Sequence, residues 1–184
     1  MVTVGIDEVG RGCWAGPLVA GAVVLNSPIK GLKDSKKLSK KQREKLAAEI
    51  QIEATAIGLG WVPASELDEI GLTAAVKLAM QRALAQITVN YDEIIIDGNL
   101  NFLSENPKTK AVIKADDSVP AVSAASIVAK VARDNYMTGI AGKYPDYGFK
   151  NHVGYGTTLH HERLKLYGVS DLHRCSFKPV AALL

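Results

Sequence analysis

The chain has 184 residues, 47% of them hydrophobic and 22% charged, enough for one domain with a real core and ordinary for a globular protein. No run of about 18 apolar residues exists, which excludes a membrane-spanning helix, and two cysteines are too few for a disulfide framework. The net charge of +3 is uneven: residues 30–45 hold eight cations and two acids, whereas residues 46–140 hold seven cations and twelve acids. A basic block beside an acidic centre suits a polyanion held over bound cations; a solvated lysine-rich helix start explains the same charges. The N-terminus has no basic segment leading into an apolar one, so no secretory signal is expected and the predicted location is cytoplasmic.

In chain order, the pattern predicts a strand over 2–7 that ends in Asp7-Glu8 and runs into Gly10-Arg11-Gly12. Leu18–Leu25 is a near-continuous apolar run, expected as a strand buried on both faces. Ser39 is the expected N-cap of a polar helix with its body at 43–50. Ala54–Val62 reads as a glycine-interrupted strand, Pro63 opens a helical stretch broken at Gly71, and Thr73 is the expected cap of a helix reaching residue 87. Glu93–Asp97, three isoleucines between acids, is the clearest strand. A short strand is expected at 111–114, a helix of small residues at 121–136, irregular chain at 145–156 and a last helix at 157–167. Strands alternating with helices make the fold class α/β around a central sheet.

Three strands are thus expected to end in acids, at Asp7-Glu8, Asp97 and Asp116-Asp117. Ligands of open α/β sheets lie beyond the carboxyl ends of strands. Carboxylates converging there would repel one another unless hard divalent cations neutralise them, and Mg²⁺ or Mn²⁺ suits carboxylate and phosphate oxygens. Neighbours on a strand point to opposite faces, so Asp7 and Glu8 serve one site only if the backbone turns there; otherwise Glu8 acts through a water. Arg11 is a permanent cation suited to phosphate. Lys33, Lys36 and Lys37 belong to the basic block that suits a polyanion, and Ser35 either caps a turn or binds phosphate. Lys130 and Asp134 have the spacing of an i,i+4 pair. The four histidines, His152, His160, His161 and His173, show no metal-ligand spacing; His160 is expected to brace the last helix and the others to pack or lie at the surface. No GxxxxGK[ST] loop or GxGxxG turn is present, which argues against a nucleotide-binding module.

Six ordered blocks resemble the ribonuclease HII family over nearly the whole chain. Gly5-Ile6-Asp7-Glu8-Val9-Gly10-Arg11-Gly12 resembles its opening motif, and Lys33-Asp34-Ser35-Lys36-Lys37-Leu38 its second. Ile96-Asp97-Gly98-Asn99, then Lys114-Ala115-Asp116 with Ser123 to Asp134, then Gly154-Tyr155-Gly156-Thr157 and His173-Arg174 through Phe177, are similar to the rest. The resemblance implies a ribonuclease H-like fold: a mixed five-stranded sheet flanked by helices, with a catalytic core over 1–140 and a small helical part over 141–184 in the same compact domain. It implies a monomeric, membrane-free endonuclease that hydrolyses the RNA of RNA–DNA hybrids and cuts 5′ of single ribonucleotides embedded in duplex DNA. Products would be a 5′ phosphate and a 3′ hydroxyl, with two ions of Mn²⁺ or Mg²⁺ as cofactor. The metal-binding acids then fall on Asp7, Glu8, Asp97 and Asp116, the junction-reading turn on Gly10, Arg11 and Gly12, and the junction-sensing tyrosine on Tyr155. Cys13 and Trp14 replace the family's frequent proline and small apolar residue, and Asp117 stands where serine is common, leaving two adjacent acids for one role. A ribonuclease HIII-like enzyme and an inactive hybrid-binding module are the rival readings; the arginine turn disfavours the first, and the full set of acids the second.

Overall fold

The computed structural model describes residues 1–32 and 35–184, so the expectation for Lys33 lies outside the described residues. Five strands, β1 (Thr3–Val9), β2 (Leu18–Leu25), β3 (Ala54–Val62), β4 (Glu93–Asp97) and β5 (Thr109–Val112), form one sheet in the order β3-β2-β1-β4-β5. The first three run antiparallel as a meander, and β4 and β5 add parallel to β1. The sheet is mixed, as expected.

Helices α1 (Lys40–Glu53), α2 (Ala64–Ile70), α3 (Leu72–Leu84), α4 (Ala115–Ser118) and α5 (Pro120–Ile140) complete the core. Val4, Ile6, Ala20, Ala22, Ile94 and Ile96 face α3 in one apolar cluster, while Val23 packs with α1 and α5 on the other face. α5 lies so close over β1 and β2 that a Cβ on Gly5 would sit 2.1 Å from the carbonyl carbon of Ala121. Alternation along a strand then puts Asp7, two residues past Gly5, and Asp97 on the α5 face. The register Ile6↔Ile96 brings both to the same end of adjacent parallel strands.

Ser39 caps α1 in a reciprocal box with Gln42, as its sequence position predicts. Three expectations need correction. Gly71, not Thr73, precedes α3; its φ of 81° suits a residue without a Cβ, and the helix ends at Leu84 rather than at 87. Asp116 does not end a strand: β5 stops at Val112, Lys114 turns left-handed at φ 58°, and Asp116 sits in the first turn of α4. The stretch 145–156 is not irregular throughout, since it holds a 3-10 turn at Pro145–Tyr147 and helix α6 (Phe149–His152). The last long helix is α7 (Thr158–Tyr167), followed by the short α8 (Lys178–Ala181), which hydropathy did not signal. A third apolar cluster around Phe149, Leu164 and Val180 joins this C-terminal part to Ala15 and Met137. No helix among the described residues is long and apolar enough to cross a membrane.

Candidate active site

A cavity of about 260 Å³ opens at the carboxyl end of β1 and β4. Asp7, Glu8 and Asp97 line it together with Gly10, Arg11 and Gly12, and on its other walls stand Ser35, Lys36, Ser126, Lys130 and Tyr155. Asp116 lines the adjoining open hollow of about 580 Å³, whose wall includes Asp97 and Lys36 as well. Asp97 therefore stands between the two, and its Oδ1 accepts the backbone N–H of Ala115 at 2.7 Å, which ties α4 to β4. The backbone does not turn at Asp7-Glu8, since β1 continues to Val9 and the turn comes at Gly10, with φ 85°. Both side chains still reach one cavity because it lies across the end of the sheet and is open to either face.

The electrostatics are those of an uncompensated anionic site. Burial, then the neighbouring Glu8 and Asp97 charges, push the Asp7 carboxyl from 3.8 up to about 7, against the lowering effect of hydrogen bonds from Ser126 and the Glu8 backbone. Glu8 is also raised, chiefly by burial, although Arg11 at 3.6 Å opposes the shift. Lys36 Nζ lies 4.0 Å from Asp116, which is buried, whereas the more exposed Asp117 pairs with Lys37. Ser35 is buried and shares a 2.9 Å hydroxyl contact with Ser126; Arg43 secures this corner by donating to the carbonyls of Ser35 and Leu38.

A donor set made only of carboxylate oxygens, with one group held back from ionising by its neighbours, fits a hard divalent cation. Among the described residues no three acid, His or Cys side chains are already drawn together around one ion position. The acids approach one another, and closing on an ion requires side-chain movement.

The turn after β1 is held by two buried arginines to which the sequence reading gave no site role. Arg133 donates to the carbonyls of Pro17, Ala15 and Val153 at 2.8, 3.0 and 2.8 Å. Arg174 reaches Gly16 with two nitrogens and Arg11 with a third. Neither is an exposed phosphate ligand; they fix the backbone that presents Gly10, Arg11 and Gly12. Arg133 falls on the buried stripe of α5 with Ser126, Ala129 and Met137, a helical spacing that could have marked it. Arg11 itself is half-exposed beside the Phe102 ring.

Tyr155 lines the same cavity as that turn, its ring face 5.0 Å from Lys130 Nζ. Lys130 also pairs with Asp134 at 3.0 Å, the predicted i,i+4 contact. Burial, then the Cys13 thiol alongside, hold the Tyr155 hydroxyl up at about 12, so it stays neutral and does no acid–base work near neutral pH. Its backbone is set by a histidine relay. The Tyr155 carbonyl can only accept, so His160 Nδ1 at 2.9 Å donates; His160 Nε2 then accepts from His173 Nε2 at 3.0 Å. His173 Nδ1 in turn accepts from Ser170. His152 stacks on His160 with ring centroids 4.3 Å apart. His160 thus does more than brace α7, while His152 and His173 are buried packing groups, as the packing alternative had it.

Burial lowers His160 and His173 to about 4. Each then binds a proton more readily unfolded than folded between pH 6.5 and about 4, so their contribution is complete above 6.5 and is lost as pH falls through that window. His160→Gln, which cannot titrate, should lose about 1.4 kcal/mol less per pH unit than the parent between pH 6 and 4.5. Urea unfolding of both proteins across that range checks it, and parallel curves would refute the neutral relay.

A family model described as Ribonuclease HII matches residues 4–180. The chain is 49% identical over 180 residues to the Ribonuclease HII of Shewanella loihica, covering 96% of this chain and 86% of that one. Among solved structures it is similar to the ribonuclease H2 from Pyrococcus horikoshii, with TM-score 0.84 and 29% identity over 100% of this chain and 97% of that chain. It is also similar to the ribonuclease HII of Archaeoglobus fulgidus, solved in complex with PCNA, with TM-score 0.83 and 28% identity over 97% of this chain and 96% of that chain.

Proposed function

The chain belongs to the ribonuclease HII family, and from that premise we propose that it recognises and cuts 5′ of single ribonucleotides embedded in duplex DNA. Its general activity is that of a ribonuclease H, an endonuclease that hydrolyses the RNA of RNA–DNA hybrids to 5′-phosphate products. The family is divalent-metal dependent, and here Asp7, Glu8, Asp97 and Asp116 would hold two ions of Mn²⁺ or Mg²⁺. When bound, such ions lower the pKa of the attacking water and stabilise the leaving 3′ oxygen. The protein acts as a monomer in the cytoplasm.

The remaining residues read the strand. The 2′-hydroxyl distinguishes a ribose from a deoxyribose; the backbone of Gly12 can approach it because no side chain intervenes, while the missing side chain of Gly10 makes room for Arg133. A Cβ on Gly12 would meet nothing within 4 Å, so the space in front of it is open. Arg11 supplies its charged fork to a phosphate, and Lys36 and Ser35 close the wall opposite. Tyr155, neutral and half-exposed, offers a ring face to the sugar of the next nucleotide. The observation carrying this reading is that Tyr155 and the Gly10–Gly12 turn line the same cavity as Asp7, Glu8 and Asp97.

The test compares two substrates on Tyr155→Ala. Stacking on an aromatic ring is worth about 1–3 kcal/mol, so cleavage of the embedded ribonucleotide should fall roughly 10- to 100-fold, with a much smaller loss on an all-RNA strand paired with DNA. Equal proportional losses on both substrates would overturn the junction-sensing role.

A further inference from the structure

We propose that a basic cleft beyond Tyr155 seats the backbone phosphate of the DNA that continues 3′ of the ribonucleotide. The inference rests on the reading of Tyr155 given above, which sets the direction of the strand: scissile phosphate at the carboxylates, next sugar on the tyrosine, further DNA past it.

The cleft has a volume of about 380 Å³ and shares Lys130 and Tyr155 with the carboxylate cavity, so the two hollows adjoin at those side chains. A strand leaving the tyrosine enters it without crossing a wall. Among the described residues four cations line it, Lys40, Arg43, Lys130 and Lys150, against the single acid Asp134. Lys130 already neutralises Asp134 at 3.0 Å. Lys40 has only a solvent-exposed contact with Glu44 at 3.8 Å, and such contacts cancel little charge. Arg43 spends its donors on the carbonyls of Ser35 and Leu38, which orient the guanidinium but leave its charge uncancelled. Lys150 is exposed at the rim, next to the Asn151 amide.

These cations come from three separate elements, α1, α5 and α6, so their convergence is a property of the fold rather than of one lysine-rich helix. The Thr157 hydroxyl faces the same space; its oxygen accepts from His160 N–H in capping α7, which leaves its own hydrogen to donate. Cationic side chains beside a neutral hydroxyl donor suit a phosphodiester, which carries charge and acceptor oxygens together. A neutral sugar or an apolar peptide would leave the charges unmatched.

The experiment uses the full chain with Lys40→Ala and Lys150→Ala combined, both exposed positions whose loss spares the core. Two duplexes each carry one embedded ribonucleotide: in one the DNA runs well past it on the 3′ side, in the other it stops at the first deoxynucleotide beyond. The parent should prefer the long duplex, and the double variant should lose about fivefold of that preference in kcat/KM, with a shallower salt dependence on the long duplex by roughly one counterion per lost contact. An unchanged long-to-short ratio would overturn the proposal, as would a ratio that follows trimming of the 5′ side instead. Tyr155→Ala assayed beside it separates the two ideas: loss of junction discrimination in that variant with no length effect in the lysine variant condemns only the cleft, and the reverse pattern condemns only the tyrosine reading.

Discussion

Asp7→Asn is expected to abolish cleavage and, at the same time, to raise the melting temperature of the metal-free protein at pH 8. The Asn amide oxygen keeps the acceptor that takes the Glu8 backbone N–H at 2.8 Å, so the turn geometry survives. What disappears is a buried negative charge beside two others. With its carboxyl moved from 3.8 to about 7, the folded protein holds a proton that the unfolded chain has released. Stability therefore falls as pH rises from about 4 to 7, and the penalty, on the order of a few kcal/mol, is complete at pH 8. Removing the carboxylate removes the penalty. It also removes a ligand for the divalent ions, and losing transition-state stabilisation of ~4 kcal/mol or more slows the reaction at least about a thousandfold. Hybrid cleavage with Mg²⁺ or Mn²⁺, alongside thermal scans at pH 5 and pH 8 with chelator, measures both. Parental activity, or a lower metal-free melting temperature at pH 8, would refute the assignment.

Arg133→Met should be the most destabilising single change in the molecule. The side chain is fully buried, and its three donors serve carbonyls in two loops, at Ala15 and Pro17 and at Val153, which also meet through the Trp14 and Ala15 N–H groups on the Gly154 carbonyl. Methionine is shorter and apolar and leaves all three carbonyls without that donor, at ~1–3 kcal/mol each. A total on the order of 3–6 kcal/mol rivals the whole stability of many domains. A fall in melting temperature of about 10 °C or more is expected. Arg133→Lys should recover only part of it, because one ammonium cannot span the same three oxygens. Should Arg133→Met unfold within about 1 kcal/mol of the parent in urea, the guanidinium would be a bystander.

How far the sequence could be read depended on where the information lay. Apolar runs such as Leu18–Leu25 and Ile94-Ile95-Ile96 carry their strand signal locally, and the structure has both strands with the expected limits. The Ser39 cap is likewise local, resting on residues three apart. Asp116 was misplaced onto a strand end because Lys114 takes a left-handed conformation with no glycine to announce it. Thr73 looked like a cap because threonine commonly is one; Gly71 fills that place through backbone freedom alone. At the site, acids next to apolar runs were visible as candidates, and the arginine-containing turn was legible from its glycines. The supporting side chains were not. Arg174 bonds to residues about 160 positions away, Gly16 and Arg11, and the His160–His173 contact depends on how α7 packs. Such partnerships are set by tertiary closure, to which composition and periodicity are blind.

The long reach of Arg174 also orders events during synthesis. The turn that carries Gly10, Arg11 and Gly12 is made well before its anchoring guanidinium, which lies about 160 residues further along the chain. At ~5–20 residues per second, the acids on β1 exist for many seconds before the neighbouring loop has its clasp. A nascent chain therefore carries the acids of β1 without the clasp on the neighbouring turn until Arg174 has been made.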